Sequence, residues 1–109
     1  MYTEYESTPA EPESRLWKAV LWRAFDDLFY RGLEHTLIVA KSESRKWFLS
    51  GSWDFQHVCL FADYNPQYVS DKFYELKNKR EYEFTQPQIL YLKQRQKYLN
   101  DNRRRQQRL

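Results

Sequence analysis

The chain has 109 residues, 41% of them hydrophobic and 18% aromatic, with two glycines and a single cysteine. This suits one domain with tails and a modest core of aromatic rings, and it excludes an internal disulfide and a turn-rich β fold. The net charge of +3 is unevenly spread: Glu4, Glu6, Glu11 and Glu13 make residues 1–14 acidic, while Lys93, Arg95, Lys97, Arg103, Arg104, Arg105 and Arg108 against Asp101 make residues 93–109 strongly basic. Such asymmetry favours a polyanionic partner for the tail. No run of about 18 apolar residues is present, so no membrane-spanning helix is expected. Without the basic start and apolar run of a signal peptide, and with a lone cysteine, the expected compartment is the cytoplasm.

Residues 1–14 are polar, acidic and proline-containing, and read as a disordered arm. Ser14 is then the expected N-cap of a first helix over residues 15–31, ended by Gly32. Trp17, Val20, Leu21, Ala24, Phe25 and Leu28 recur at helical spacing and give that helix one apolar face. Residues 33–50 fit a second helix, with Leu37, Ala40, Ser44, Trp47 and Phe48 inward and Lys41, Arg45 and Lys46 outward. Ser50-Gly51-Ser52 is the clearest turn in the body, with Ser52 or Asp54 as the following cap.

Residues 54–76 read as two short helices joined by a tight turn. Phe55, Val58, Cys59 and Ala62 share one face of the first. Asn65-Pro66 starts the second, a side-chain cap followed by a proline whose missing N–H costs nothing at that position. Val69, Phe73 and Leu76 line its inner face, and Tyr64 plugs the angle. The stretch from residue 55 to 73 resembles the DNA-binding helix-turn-helix. With Phe55 as the first position, the apolar fourth, small fifth, apolar tenth and branched fifteenth positions are Val58, Cys59, Tyr64 and Val69. The ninth, usually glycine, is Asp63, a residue that tolerates positive φ better than most. An ordinary antiparallel helical hairpin fits the same pattern. Trp47, the polar turn, Phe55-x-x-Val58-Cys59 and Pro66-x-x-Val69 together resemble small phage- and prophage-encoded proteins. That resemblance implies a helical fold, a mobile-element origin and the host cytoplasm.

Lys77, Asn78, Lys79 and Arg80 form a basic cluster. Residues 81–84 alternate as a brief extended segment or the wing of a winged helix would, and one such run does not decide. Thr85-Gln86-Pro87 starts a last helix running to about residue 102. Ile89, Leu92 and Leu99 give it a thin apolar stripe, either solvent-exposed or the seam of a homodimer. The expected fold is therefore all-α: a helical domain of four to five helices over residues 15–84 with the helix-turn-helix at 54–76, then a basic C-terminal helix and tail over 85–109.

In helix-turn-helix geometry the start of the second helix meets base edges. Here that face carries Gln67, Ser70, Asp71 and Tyr74, with Asn65 at the cap. Gln reads adenine bidentately, whereas Asp71 suits only a cytosine amino group. Lys72, Lys77, Lys79 and Arg80 sit where they meet the backbone, and Arg95, Arg103, Arg104, Arg105 and Arg108 add phosphate contacts. The arginine-rich end also resembles the RNA-binding arms of phage antiterminators. Duplex DNA is the preferred partner, with RNA as an alternative. A host protein such as RNA polymerase is a further one, because Tyr68, Tyr74, Tyr82, Tyr91 and Tyr98 look partly exposed. His57 and Cys59 point about 200° apart on a helix, so no metal site is expected there. No phosphate loop, dinucleotide fingerprint or nucleophile elbow occurs, and neither an enzyme nor a cofactor is expected.

Overall fold

The computed structural model describes residues 12–108, with side chains for residues 12–106. These form five helices: α1 (Pro12–Leu28), α2 (His35–Ser50), α3 (Trp53–Phe61), α4 (Pro66–Asn78) and α5 (Gln86–Arg108). The all-α class expected from the sequence is the one found, and no strand occurs among the described residues. The acidic arm falls largely outside the described residues, although residues 12–14, read as part of it, form the first turn of α1. Ser14 is thus inside the helix rather than its cap.

Local chemistry explains where the chain starts and stops each helix. Glu34 caps α2 by accepting the Thr36 N–H at 2.9 Å. That bond and one from the Thr36 hydroxyl hold the Glu34 carboxyl below the usual range. Gly51 closes α2 in the left-handed region at φ 55. The Ser52 hydroxyl accepts the Phe55 N–H at 3.3 Å and starts α3. Asn65 accepts the Gln67 N–H at 2.8 Å, with Pro66 behind it, and starts α4. α5 opens on a reciprocal capping box: the Gln88 N–H donates to the Thr85 hydroxyl at 3.2 Å, and the Thr85 N–H donates to Gln88 Oε1 at 3.0 Å.

The core is a relay of rings around Phe48 of α2. Its neighbours are Phe25 of α1 at 4.5 Å, Phe55 of α3 at 5.8 Å and Phe73 of α4 at 5.0 Å between centroids. Four helices therefore meet at one side chain. Leu21, Leu28, Val58, Cys59, Ala62 and Val69 fill the gaps and are all buried. Tyr82, expected to be partly exposed and part of a wing, is only 1% exposed. It packs against Phe73 and Phe29, each at 5.3 Å, and belongs to the core. Burial, with Glu81 beside it, pushes its hydroxyl up to about 12.

Lys41, expected on the outside of α2, is 1% exposed. Its ammonium donates to the Tyr30 carbonyl at 2.7 Å, the Glu83 carbonyl at 2.8 Å and Gln88 Oε1 at 3.3 Å. Gln88 is fully buried and its amide donates to the carbonyls of Tyr30 at 3.1 Å and Gly32 at 2.9 Å. These bonds explain why α1 ends at Leu28 rather than at residue 31. The chain must leave the helix to turn its Tyr30 and Gly32 carbonyls toward Lys41 and Gln88. They also fix the first turns of α5 against α2.

Burial, with Arg31 and Arg45 nearby, lowers the Lys41 ammonium from 10.5 to about 8. Between those values the unfolded chain keeps a proton that the folded chain has shed, so this group favours folding increasingly from pH 8 to 10.5 and loses that contribution as pH falls through 8. Buried Cys59, raised from 9.0 to about 11, works in the opposite sense above pH 9. Lys41→Met leaves the Glu83 carbonyl without its donor and is expected to cost about 1–3 kcal/mol at neutral pH. The deficit should widen when urea melts are repeated from about pH 7 up to about 9. A deficit that does not change with pH refutes this account of Lys41.

Candidate nucleic-acid interface

The α3–α4 hairpin is built as the sequence suggests. After α3 the Asp63 N–H donates to the Leu60 carbonyl at 3.0 Å and the Tyr64 N–H to the Cys59 carbonyl at 2.8 Å, with Asp63 at φ 66. This pair of bonds around a left-handed residue ends the helix sharply and turns the chain into α4. The Ser14 hydroxyl donates to the Asp63 carboxylate at 3.4 Å and ties the turn to α1. Tyr64 sits half-buried beside Trp22 and Tyr68. Asp63→Val, a β-branched residue forced to positive φ, is expected to lower stability by about 1–2 kcal/mol in a thermal melt. Asp63→Gly should be near neutral. Equal losses for both variants would show that the lost Ser14 contact, rather than the backbone, decides the cost.

The outer face of α4 is open to solvent, with Gln67, Asp71, Lys72, Tyr74 and Glu75 exposed and Ser70 half-buried. Its polar groups largely satisfy one another. Gln67 donates to Asp71 at 2.8 Å, and Asn65 uses its side-chain oxygen as the cap. Lys72 and Lys79 both reach Glu75, at 3.4 and 3.3 Å, and hold its carboxyl below the usual range. Arg80 pairs with Glu83. Residues 66–84 carry four basic side chains (Lys72, Lys77, Lys79, Arg80) and four acidic ones (Asp71, Glu75, Glu81, Glu83), so this part of the surface has no net charge. Exposed pairs of this kind add at most about 1 kcal/mol each to stability. Their larger effect is to cancel the field that would draw in a phosphate backbone.

α5 differs. It continues to Arg108, beyond the expected end near residue 102, and at about 1.5 Å per residue its 23 residues span about 34 Å. Only Gln88 of its described side chains is buried. Lys93, Lys97 and Arg104 are exposed and fall within about 40° of one another on the helix, on the side roughly opposite Gln88, Leu92 and Leu99. Arg103 and Arg105 flank that stripe and are exposed, and none of these five makes an ion pair among the described residues. Arg95 is half-buried on another side, lining a hollow of about 310 Å³ with His35, Thr36 and Tyr91. The backbone of Arg108 is helical, but its side chain lies outside those described.

Two further concavities border α4. One, of about 340 Å³, lies between α1 and α4 and is lined by Trp22, Phe25, Phe29, Tyr64, Tyr68 and Leu76 with Asp26 and Lys72. The other, of about 540 Å³, lies where α2, the end of α4 and the start of α5 converge, and brings together Arg45, Lys77 and Arg80. Arg45 was read from the sequence only as an exposed charge on α2. Its neighbours in this hollow are 32 and 35 positions away in the chain, a spacing that no local pattern marks. Among the described residues no group of three or more His, Cys, Asp or Glu side chains is placed to hold a metal ion. Cys59 is fully buried, and burial pushes its thiol up to about 11. No helix among the described residues is long and apolar enough to cross a membrane. No protein-family model matches the chain, and neither does any curated protein or solved structure.

Proposed function

We propose that this protein binds nucleic acid, with α5 as the element that holds phosphates and the α3–α4 hairpin as the element that meets a duplex groove. The observation that carries this reading is the unpaired cationic stripe of Lys93, Lys97 and Arg104, flanked by Arg103 and Arg105, on a helix that faces solvent for most of its length. Five exposed cations that make no ion pair among the described residues release counterions when they meet a backbone, and that release is the main source of sequence-independent affinity. The hairpin adds Gln67, Ser70 and Tyr74 on an uncovered helix face. With no net charge, that face contributes register and base contact rather than attraction. On this reading the protein acts in control of transcription, as the helix-turn-helix resemblance implies, and duplex DNA is preferred over RNA.

Anisotropy titrations of a labelled duplex over a range of salt test the division of labour. The combined variant Lys93→Gln, Lys97→Gln and Arg104→Gln should flatten the slope of log K against log salt by roughly 2–3. Gln67→Ala with Tyr74→Ala should leave the slope intact and reduce the preference among duplex sequences. Binding that ignores salt, or an unchanged slope in the α5 variant, refutes the proposal.

A second reading rests on the aromatic groove between α1 and α4. Trp22 is 56% and Tyr68 59% exposed there, and such rings anchor protein partners. Under that reading Trp22→Ala with Tyr68→Ala removes function in the cell while duplex affinity stays unchanged.

A further inference from the structure

The hollow at the root of α5 joins three cations from two helices and a turn. Arg45 comes from α2, Lys77 from the last turn of α4, and Arg80 from the turn that follows. Glu83 is the one carboxylate on its lining, and it pairs with the Arg80 Nε. Arg45 and Lys77 are half-buried and make no ion pair among the described residues. The lining therefore has an excess of two positive charges, and the ammonium of Lys41 lies close by beneath the Phe84 ring, 4.7 Å from its centroid. The positive end of the α5 macrodipole adds to the same field, since Gln86 and Ile89 form part of the wall.

Arg80 supplies an independent observation. It sits at φ 66, where the Arg80 N–H donates to the Lys77 carbonyl at 2.9 Å and the Glu81 N–H to the Leu76 carbonyl at 3.1 Å. Glycine is the residue best suited to that position, and a side chain held there is strained. The chain accepts this strain and holds the Arg80 side chain, 78% exposed and paired with Glu83, at the rim of the hollow.

We infer that this hollow is a phosphate socket, with Arg45, Lys77 and Arg80 as its ligands. Arginine donates in a planar fork that matches two phosphate oxygens, and lysine adds a point charge. A stripe such as that on α5 suits a backbone running past it. A concave site of about 540 Å³ with Phe84 and Ile89 on its wall suits a phosphate that projects, together with the group that bears it. The source is either a strand end or a free phosphate compound. Only the strand-end source depends on the nucleic-acid reading.

The test is ³¹P NMR titration of the full chain with pyrophosphate at fixed ionic strength, alongside thermal melts. Wild type should bind pyrophosphate and melt at higher temperature in its presence than in chloride. Arg45→Gln with Lys77→Gln should bind about tenfold or more weakly, as expected from losing charge-assisted bonds. Arg80→Gly should also bind more weakly while keeping or raising its melting temperature without ligand, which separates binding from folding. The triple α5 variant should keep pyrophosphate binding even where it loses duplex affinity, so failure of the socket and failure of the nucleic-acid reading are told apart. A 5′-phosphorylated oligonucleotide that outbinds its 5′-hydroxyl twin, with the advantage lost in Arg45→Gln, identifies a strand end. Pyrophosphate binding without that advantage identifies a free phosphate compound. No pyrophosphate binding by wild type, or equal binding by wild type and Arg45→Gln with Lys77→Gln, overturns the socket.

Discussion

A single ammonium group sets the geometry on which the surface features rest. Lys41 is buried with no carboxylate beside it, a placement that is costly unless every proton finds an acceptor. It finds three: two backbone carbonyls and the Gln88 amide oxygen. The lowering from 10.5 to about 8 corresponds to roughly 3 kcal/mol against the charged form. That figure is the balance left with the three bonds in place; each of them favours the charged form, and without them the penalty would be larger. The result ties the segment after α1, the middle of α2, the loop after α4 and the start of α5 into one polar knot. Without it α5 would be joined to the body by little more than Ile89, Tyr91 and Leu92, all only half-buried.

The aromatic content, excessive for a small helical core on composition alone, has two uses in the structure. Phe25, Phe48, Phe55, Phe73 and Tyr82 stack or meet edge to face across four helices and the α4–α5 loop, and such pairs add about 0.5–1.5 kcal/mol beyond their burial. Trp22, Trp53, Phe61 and Tyr68 remain outside. The core relay keeps the hairpin and α2 in fixed relation. The Arg45, Lys77 and Arg80 side chains can then share one hollow although they belong to separate elements.

The parts of this fold legible in the sequence are those set by neighbours in the chain. Helical spacing gave the inward faces of α3 and α4, and Gly51, Ser52, Asn65-Pro66 and Thr85 marked the end of α2 and the starts of α3, α4 and α5 within a residue or two. Asp63 was legible too, because it stands where the helix-turn-helix pattern usually has glycine, and it is found at φ 66. Lys41, Gln88 and Tyr82 were not. The partners of Lys41 lie 11, 42 and 47 residues away, and a lysine on the polar side of a helical wheel reads as solvated. Tyr82 looked like part of an alternating extended run, but the Arg80 turn swings it under Phe73, and tertiary packing overrides the local pattern. The early end of α1 has the same origin, since its determinant is Gln88, more than fifty residues downstream.

The division of charge between α4 and α5 follows from the same architecture. On α4 Glu75 stands three or four positions from Lys72 and Lys79, the spacing at which helical side chains meet, and both pair with it, while Lys77 makes no ion pair among the described residues. On α5 the cations Lys93, Lys97 and Arg104 recur at intervals of four and seven, with Asp101 as the one acidic residue of the helix. The same periodicity therefore builds a ridge with a large positive excess and no ion pair among the described residues. A helix of like charges that makes few contacts is a poor candidate to fold alone, because exposed repulsion of this kind opposes the compact state. Its first turns are instead held by a buried capping box and a buried lysine, and the repulsive portion extends from that anchor. Burial at one end and uncompensated charge at the other are thus two halves of one arrangement. The fold supplies the stability that the charged surface does not.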